Sequence, residues 1–174
     1  NNLLIHSASN VPFLRHEYLS TWWQTLGGGE WQSGELHIVT ARTPDGQLVG
    51  VAPLFYAPNR QQEPALLLLG SVEISDFLDV IALPDLRADF ISALLEHLAS
   101  PEAPAWQVLD WYNLLDSSPT LPDLEHAAAQ HGWHFNQELL QHCPYIPLPG
   151  DFEKYLAEQV DKKQRHEIRR KMRR

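Results

Sequence analysis

Asp76 and Asp79 are the two carboxylates whose setting suggests chemistry. They bracket Phe77-Leu78 just ahead of the apolar run Val80-Ile81-Ala82-Leu83. A strand through this run places Asp76 with Leu78 and Val80 on one face, and Asp79 with Phe77 and Ile81 on the other. One of the two then faces apolar surroundings, where a carboxylate is costly unless paired, or else takes a raised pKa and serves as a general base. The structural alternative makes one a strand-entry cap and the other an acceptor for nearby backbone N–H groups.

The remaining reactive side chains carry weaker signals. Nine His include His126, His131, His134 and His142, but His126 and His131 fall on different helical faces. His131-Gly132-Trp133-His134 straddles a helix end with no Cys or carboxylate at ligand spacing, so no metal site is expected. Cys143 lies between His142 and Pro144 without an oxyanion turn and reads as a small buried hydrophobe. Gly27-Gly28-Gly29 follows a helical pattern instead of opening one, which marks a helix end and not a phosphate cradle. Trp22, Trp23, Trp106 and Trp111 read as core or interface aromatics.

These residues sit on a legible series of elements. Leu3–His6 reads as a short strand. Leu14, Tyr18, Trp22 and Leu26 recur every four residues behind Asn10 and Pro12, which predicts a helix ended by the triple glycine. Leu36–Ala41 and Gln47–Ala52 flank Pro44-Asp45-Gly46 and predict a hairpin. Its second arm runs on through Pro53, which implies a bulge or an edge. Ala65–Leu69 and Phe77–Leu83 read as strands. Pro84-Asp85 opens a helix with Phe90, Ile91, Leu94, Leu95 and Leu98 on one face. Trp106–Leu114 reads as a strand, Leu121–His131 as a helix ended by Gly132, and Trp133–Leu139 and Pro144–Leu148 as closing strands. Asp151 caps a last helix carrying Phe152, Tyr155, Leu156 and Val160.

The chain of 174 residues, 44% hydrophobic with six Trp and one Cys, is long enough to bury a core and excludes a disulfide scaffold. The absence of a long apolar run predicts no membrane span, and the single Cys fits a reducing cytoplasm. Net charge is -9, but the last thirteen residues hold eight of the 13 Lys and Arg against Glu167 alone, a local +7 that leaves -16 on residues 1–161. So acidic a body is a poor nucleic-acid binder. The tail reads as a helix that protrudes and pairs with acidic protein, including self-association through a neighbouring molecule. Its helical pattern runs to Arg174 without a stop, and the chain begins at Asn1 without Met, which together suggest a piece of something longer.

The order of elements, with Pro12-Phe13-Leu14, Trp22-Trp23, the hairpin from Asp45 to Phe55, Ser75-Asp76-Phe77-Leu78-Asp79, and Leu148 to Leu156 leading into Lys162 to Arg170, resembles the N-terminal half of the CelD-like, cellulose-biosynthesis-associated GNAT acetyltransferases. These are similar to the Fem-type transferases in carrying two GNAT-like modules in tandem. The resemblance implies an α/β (α+β) fold with a mixed, mostly antiparallel sheet flanked by helices. It implies a GNAT-like module over 1–150, and over 151–174 a linker helix leading into a second module. It also implies acyl-CoA-dependent N-acyl transfer, with acetyl-CoA or another acyl-CoA held mainly by that second module, and a small-molecule or saccharide amine as acceptor. In the family a glycine-rich turn cradles the cofactor pyrophosphate; here the matching Leu83-Pro84-Asp85-Leu86-Arg87-Ala88-Asp89 has no glycine and two acids, so no cofactor residue is expected in this chain. The acceptor-binding set implied is Asp76, Asp79 and Trp111, with no catalytic residue assigned. A non-catalytic module that recognises a protein or a saccharide through a degenerate GNAT fold is the alternative.

Overall fold

The computed structural model describes residues 1–173. The chain forms two compact units, Asn1–Glu138 and a second from Leu139 onward. The first is a mixed α/β unit built on a mostly antiparallel sheet flanked by helices, as expected. Its elements are α1 (His16–Gly29), β1 (Glu35–Arg42), β2 (Leu48–Pro58), β3 (Pro64–Leu68), β4 (Ile81–Ala82), α2 (Arg87–Leu98), β5 (Val108–Leu109) and α3 (Thr120–Gln130). Strand order is β1-β2-β3-β5, with β4 also on β2; every pairing is antiparallel except β3 with β5.

Alternation along β2 and β3 divides the core. Ala52, Leu54, Leu66 and Leu68 face α2 and α3, whose Phe90, Ile91, Leu94, Leu95, Leu124 and Ala128 close that side. Phe55, Ala57, Ala65 and Leu67 face α1, which buries Leu19 and Trp22 against them. The Trp22 and Phe55 ring centroids lie 5.3 Å apart. Each fully buried large apolar side chain contributes about 1.5–3 kcal/mol, so both faces of the sheet are strongly held. Gly50 is required for the α2 side: a Cβ there would lie 2.4 Å from Cδ2 of the Phe90 ring. Gly27 takes φ +69° where the helical part of α1 ends, directly against the Trp22 indole.

Pro53 sits in a strand paired on both sides, neither at an edge nor in a bulge. Its carbonyl accepts from Leu69 N at 2.8 Å, so its ring nitrogen faces the same side, where β2 passes from pairing with β4 at Gly50–Val51 to pairing with β3 from Leu54. The missing donor falls in the gap between those two partners.

Several expected strands are absent. Leu4–His6 is a turn of 3-10 helix that buries Leu4. Phe77–Leu83 is extended only at Ile81–Ala82, because Val80 N donates to Asp79 Oδ1 (2.8 Å) and Leu78 N to Asn113 O (2.9 Å), which removes both from any ladder. Trp106–Leu114 keeps two strand residues before Asn113 turns to φ +62°. Trp133–Leu139 and Pro144–Leu148 form no strand; in and beside the second, Pro144, Pro147 and Pro149 remove donors at short intervals.

In the second unit Leu139–Gly150 has no regular structure and exposes Leu139, Leu140, Tyr145, Ile146 and Leu148. Asp151 then caps α4 (Phe152–Glu158) by accepting from Lys154 N at 2.7 Å, as its position predicts. Asp161 caps α5 (Lys162–Met172) by accepting from Lys163 N and Gln164 N. Arg165 Nη2 donates to the carbonyls of Ala157 and Val160 at 2.9 Å each, closing the end of α4, and Arg169 pairs with Glu153.

Candidate functional site

An open cleft of about 960 Å³ lies in the first unit. It exists because β1 extends beyond the cover of α1. His37, Val39 and Ala41 on one face of β1 are half-buried, whereas Leu36 and Ile38 on the other are 50% and 42% exposed. With Val51, Pro53 and Ile81 they make an apolar floor. One wall is α1, through Leu19, Ser20, Trp23 and Gln24; the other is the N-terminal segment Asn1–Leu4 with His6. Asn1 locks that segment to α1: its Oδ1 accepts from His16 N at 3.1 Å and its Nδ2 donates to the Glu17 carboxylate. Hydrogen bonds from its own backbone N–H and from Asn1 hold the Glu17 carboxyl below its ordinary range.

Among the described residues no Asp, Glu, Lys or Arg side chain lines the cleft; its polar side chains are the amides of Asn1, Asn2, Gln24 and Gln47, the Ser20 hydroxyl, and the imidazoles of His6 and His16. Without a carboxylate it offers no counter-ion to an ammonium, and without Lys or Arg it offers no long cationic side chain to a phosphate. The volume and the apolar lining with a few polar groups match an organic ligand of moderate size.

Asp76, Asp79 and Trp111 do not line this cleft. Asp76 is exposed. Asp79 is 1% exposed, and its Oδ2 accepts from Ser9 Oγ (2.7 Å) and Ser118 Oγ (2.6 Å) while Oδ1 takes Val80 N. The alternating strand faces expected for the pair are replaced by a polar clamp: Asp79 ties the N-terminal segment to the loop ahead of α3, where Ser118 Oγ also accepts from Thr120 N. Trp111 is half-buried against the α2–α3 core, with its indole N–H enclosed and without an acceptor among the described residues. Cys143 is exposed, not buried, because it lies in the irregular segment after Glu138. No three His, Cys, Asp or Glu among the described residues are grouped to hold a metal ion.

At the expected pyrophosphate position, Pro84–Leu86 forms a 3-10 turn that runs into α2, and Asp85 and Asp89 are both exposed there. Negative charge at a helix start opposes phosphate binding.

Sequence reasoning missed two features. The cleft was signalled by β1 being apolar on both faces at a sheet edge, a pattern the hairpin reading did not use. The other is a polar knot beneath the β2–β3 turn. Buried Asn59 donates to Asp110 Oδ2 and Glu63 Oε2 and accepts from Gln61 N and Glu63 N. The Tyr112 hydroxyl donates to Asp110 at 3.0 Å, and burial pushes its pKa up to about 12, so it stays a donor. Within this knot the Asn59 amide and the Tyr112 hydroxyl are both paired.

Comparison with known proteins finds no matching family model, no matching curated protein and no matching solved structure.

Proposed function

We propose that this chain is the N-terminal, acceptor-recognising module of an acyl-CoA-dependent N-acyltransferase, with acetyl-CoA as the expected donor held by a second GNAT-like module. The element order from α1 to α3, a helix, a hairpin, two further strands, a helix, a strand and a helix, supports the fold side of this reading. The observation that carries the functional side is a cleft lined by no acidic side chain among the described residues. In acyl transfer the amine nitrogen must attack the thioester carbonyl as the free base; the C–S bond breaks, and the thiol leaves with the proton. A cleft with no carboxylate favours the neutral amine over the ammonium. Its apolar floor fits an amine with an apolar body better than a bare sugar. The chemistry is assigned to no residue of this chain. No helix among the described residues is long and apolar enough to cross a membrane; a cytoplasmic setting is proposed from the single Cys.

The second reading, a non-catalytic binding module, is favoured by Asp85 and Asp89 at the start of α2, and it uses the same cleft without acyl transfer. Calorimetric titration with N-acetyltryptamine, an uncharged amide of the kind such transfer produces, tests the assignment of the cleft. Binding is expected, and Ile38→Lys, which places an unpaired cation on the floor, is expected to weaken it about tenfold or more. Absence of binding, or equal binding by the variant, would overturn the assignment.

A further inference from the structure

Two surfaces, one in each unit, carry opposite charge that is left unpaired within its own unit. On α5, Arg165 is used on carbonyls, while Arg169 and Arg170 pair with Glu153 and Glu167. Lys162, Lys163 and Lys171 are exposed and have no carboxylate of the described residues of their own unit within ion-pair distance. On α2, its leading turn and α3, Asp85, Asp89, Glu96 and Glu125 are exposed and likewise without a cation, because the one basic side chain there, Arg87, is held by Asp123 at 2.7 Å. From 84 to 130 the sequence holds eight acids against Arg87, a net -7 that equals in size the +7 of the last thirteen residues.

We propose that the cationic side of α5 docks on the acidic α2–α3 face of a second copy of this chain, reciprocally, so that each contact is made twice in a salt-sensitive dimer. Charge complementarity of this size steers association and fixes its orientation. Reciprocity closes the assembly at two, whereas a one-way contact would give open chains. Other anionic partners fit less well. The -16 on residues 1–161 repels a polyphosphate backbone. A bilayer surface calls for an apolar helix face, and α5 offers only Ile168 and the exposed Met172.

Sedimentation velocity on the whole chain tests this. At about 20 mM salt a dimer is expected, and at about 500 mM a monomer, since screening then acts over only a few ångströms. The triple variant Lys162→Glu, Lys163→Glu, Lys171→Glu is expected to be monomeric at low salt, as is Asp85→Lys, Asp89→Lys, Glu96→Lys. An equimolar mixture of the two restores both contacts and is expected to dimerise. Circular dichroism checks each fold, and the milder Lys→Gln triple is expected to weaken association if the reversed variant is unfolded. A monomer at low salt, a dimer indifferent to salt or to either set, or a mixture that stays monomeric would overturn the proposal. So would tight binding of anionic vesicles or duplex DNA by a chain that does not self-associate.

Discussion

Asp79 is a carboxylate out of water whose charge is met entirely by donors from three stretches of chain: Ser9, Val80 and Ser118. Hydrogen bonds to an ionised group are worth about 1.5–3 kcal/mol each, and a hydroxyl left buried without a partner costs about as much again. Asp79→Ala is therefore expected to lower unfolding stability by about 3 kcal/mol in urea titration while leaving N-acetyltryptamine binding unchanged. A loss under about 1 kcal/mol, or a loss of binding without loss of stability, would contradict the clamp and restore Asp79 as an acceptor contact.

At the scale of elements, β1 meets α2 through a stacked pair, His37 and His97, with ring centroids 5.9 Å apart and planes 10° from parallel. His37 Nε2 is enclosed and has no hydrogen-bond partner among the described residues. Burial, and then the nearby His97, hold the His37 pKa below its ordinary 6.5. The folded chain thus takes up this proton later than the unfolded chain as pH falls. The contribution of His37 is fully present above about pH 6.5 and is lost on acidification through the depressed folded-state value. Melting temperature should fall between about pH 7 and pH 5, and His37→Gln should flatten that fall. Parallel pH profiles for the two proteins would contradict this account.

Elements whose pattern repeats over several turns or pairs were legible from sequence. The spacing of Phe90, Ile91, Leu94, Leu95 and Leu98 gave α2 its buried face, and Pro44-Asp45-Gly46 gave the β1–β2 hairpin. What escaped was decided by contacts distant in sequence. Asp79 left its strand for Ser9 and Ser118, 70 and 39 residues away. The helix stripe of α1 fixes what that helix buries, but not how far β1 runs past it, and the cleft lies in that difference.

For the whole molecule, charge is unevenly divided: no acidic, Lys or Arg side chain of the described residues lines the cleft, the α2–α3 side is acidic, and basic residues concentrate in α5. Under the function proposed above, acceptor recognition falls to this chain and acyl-CoA is held elsewhere. An amide-resolved proton–nitrogen NMR titration of the whole chain, with acetyl-CoA and separately with N-acetyltryptamine, tests this most directly. N-acetyltryptamine should shift the amides of Leu36, Ile38, Val51 and Trp23, and acetyl-CoA should leave Leu83–Asp89 unmoved. Saturable shifts at Leu83–Asp89 with acetyl-CoA, or a cleft unperturbed by N-acetyltryptamine, would contradict it.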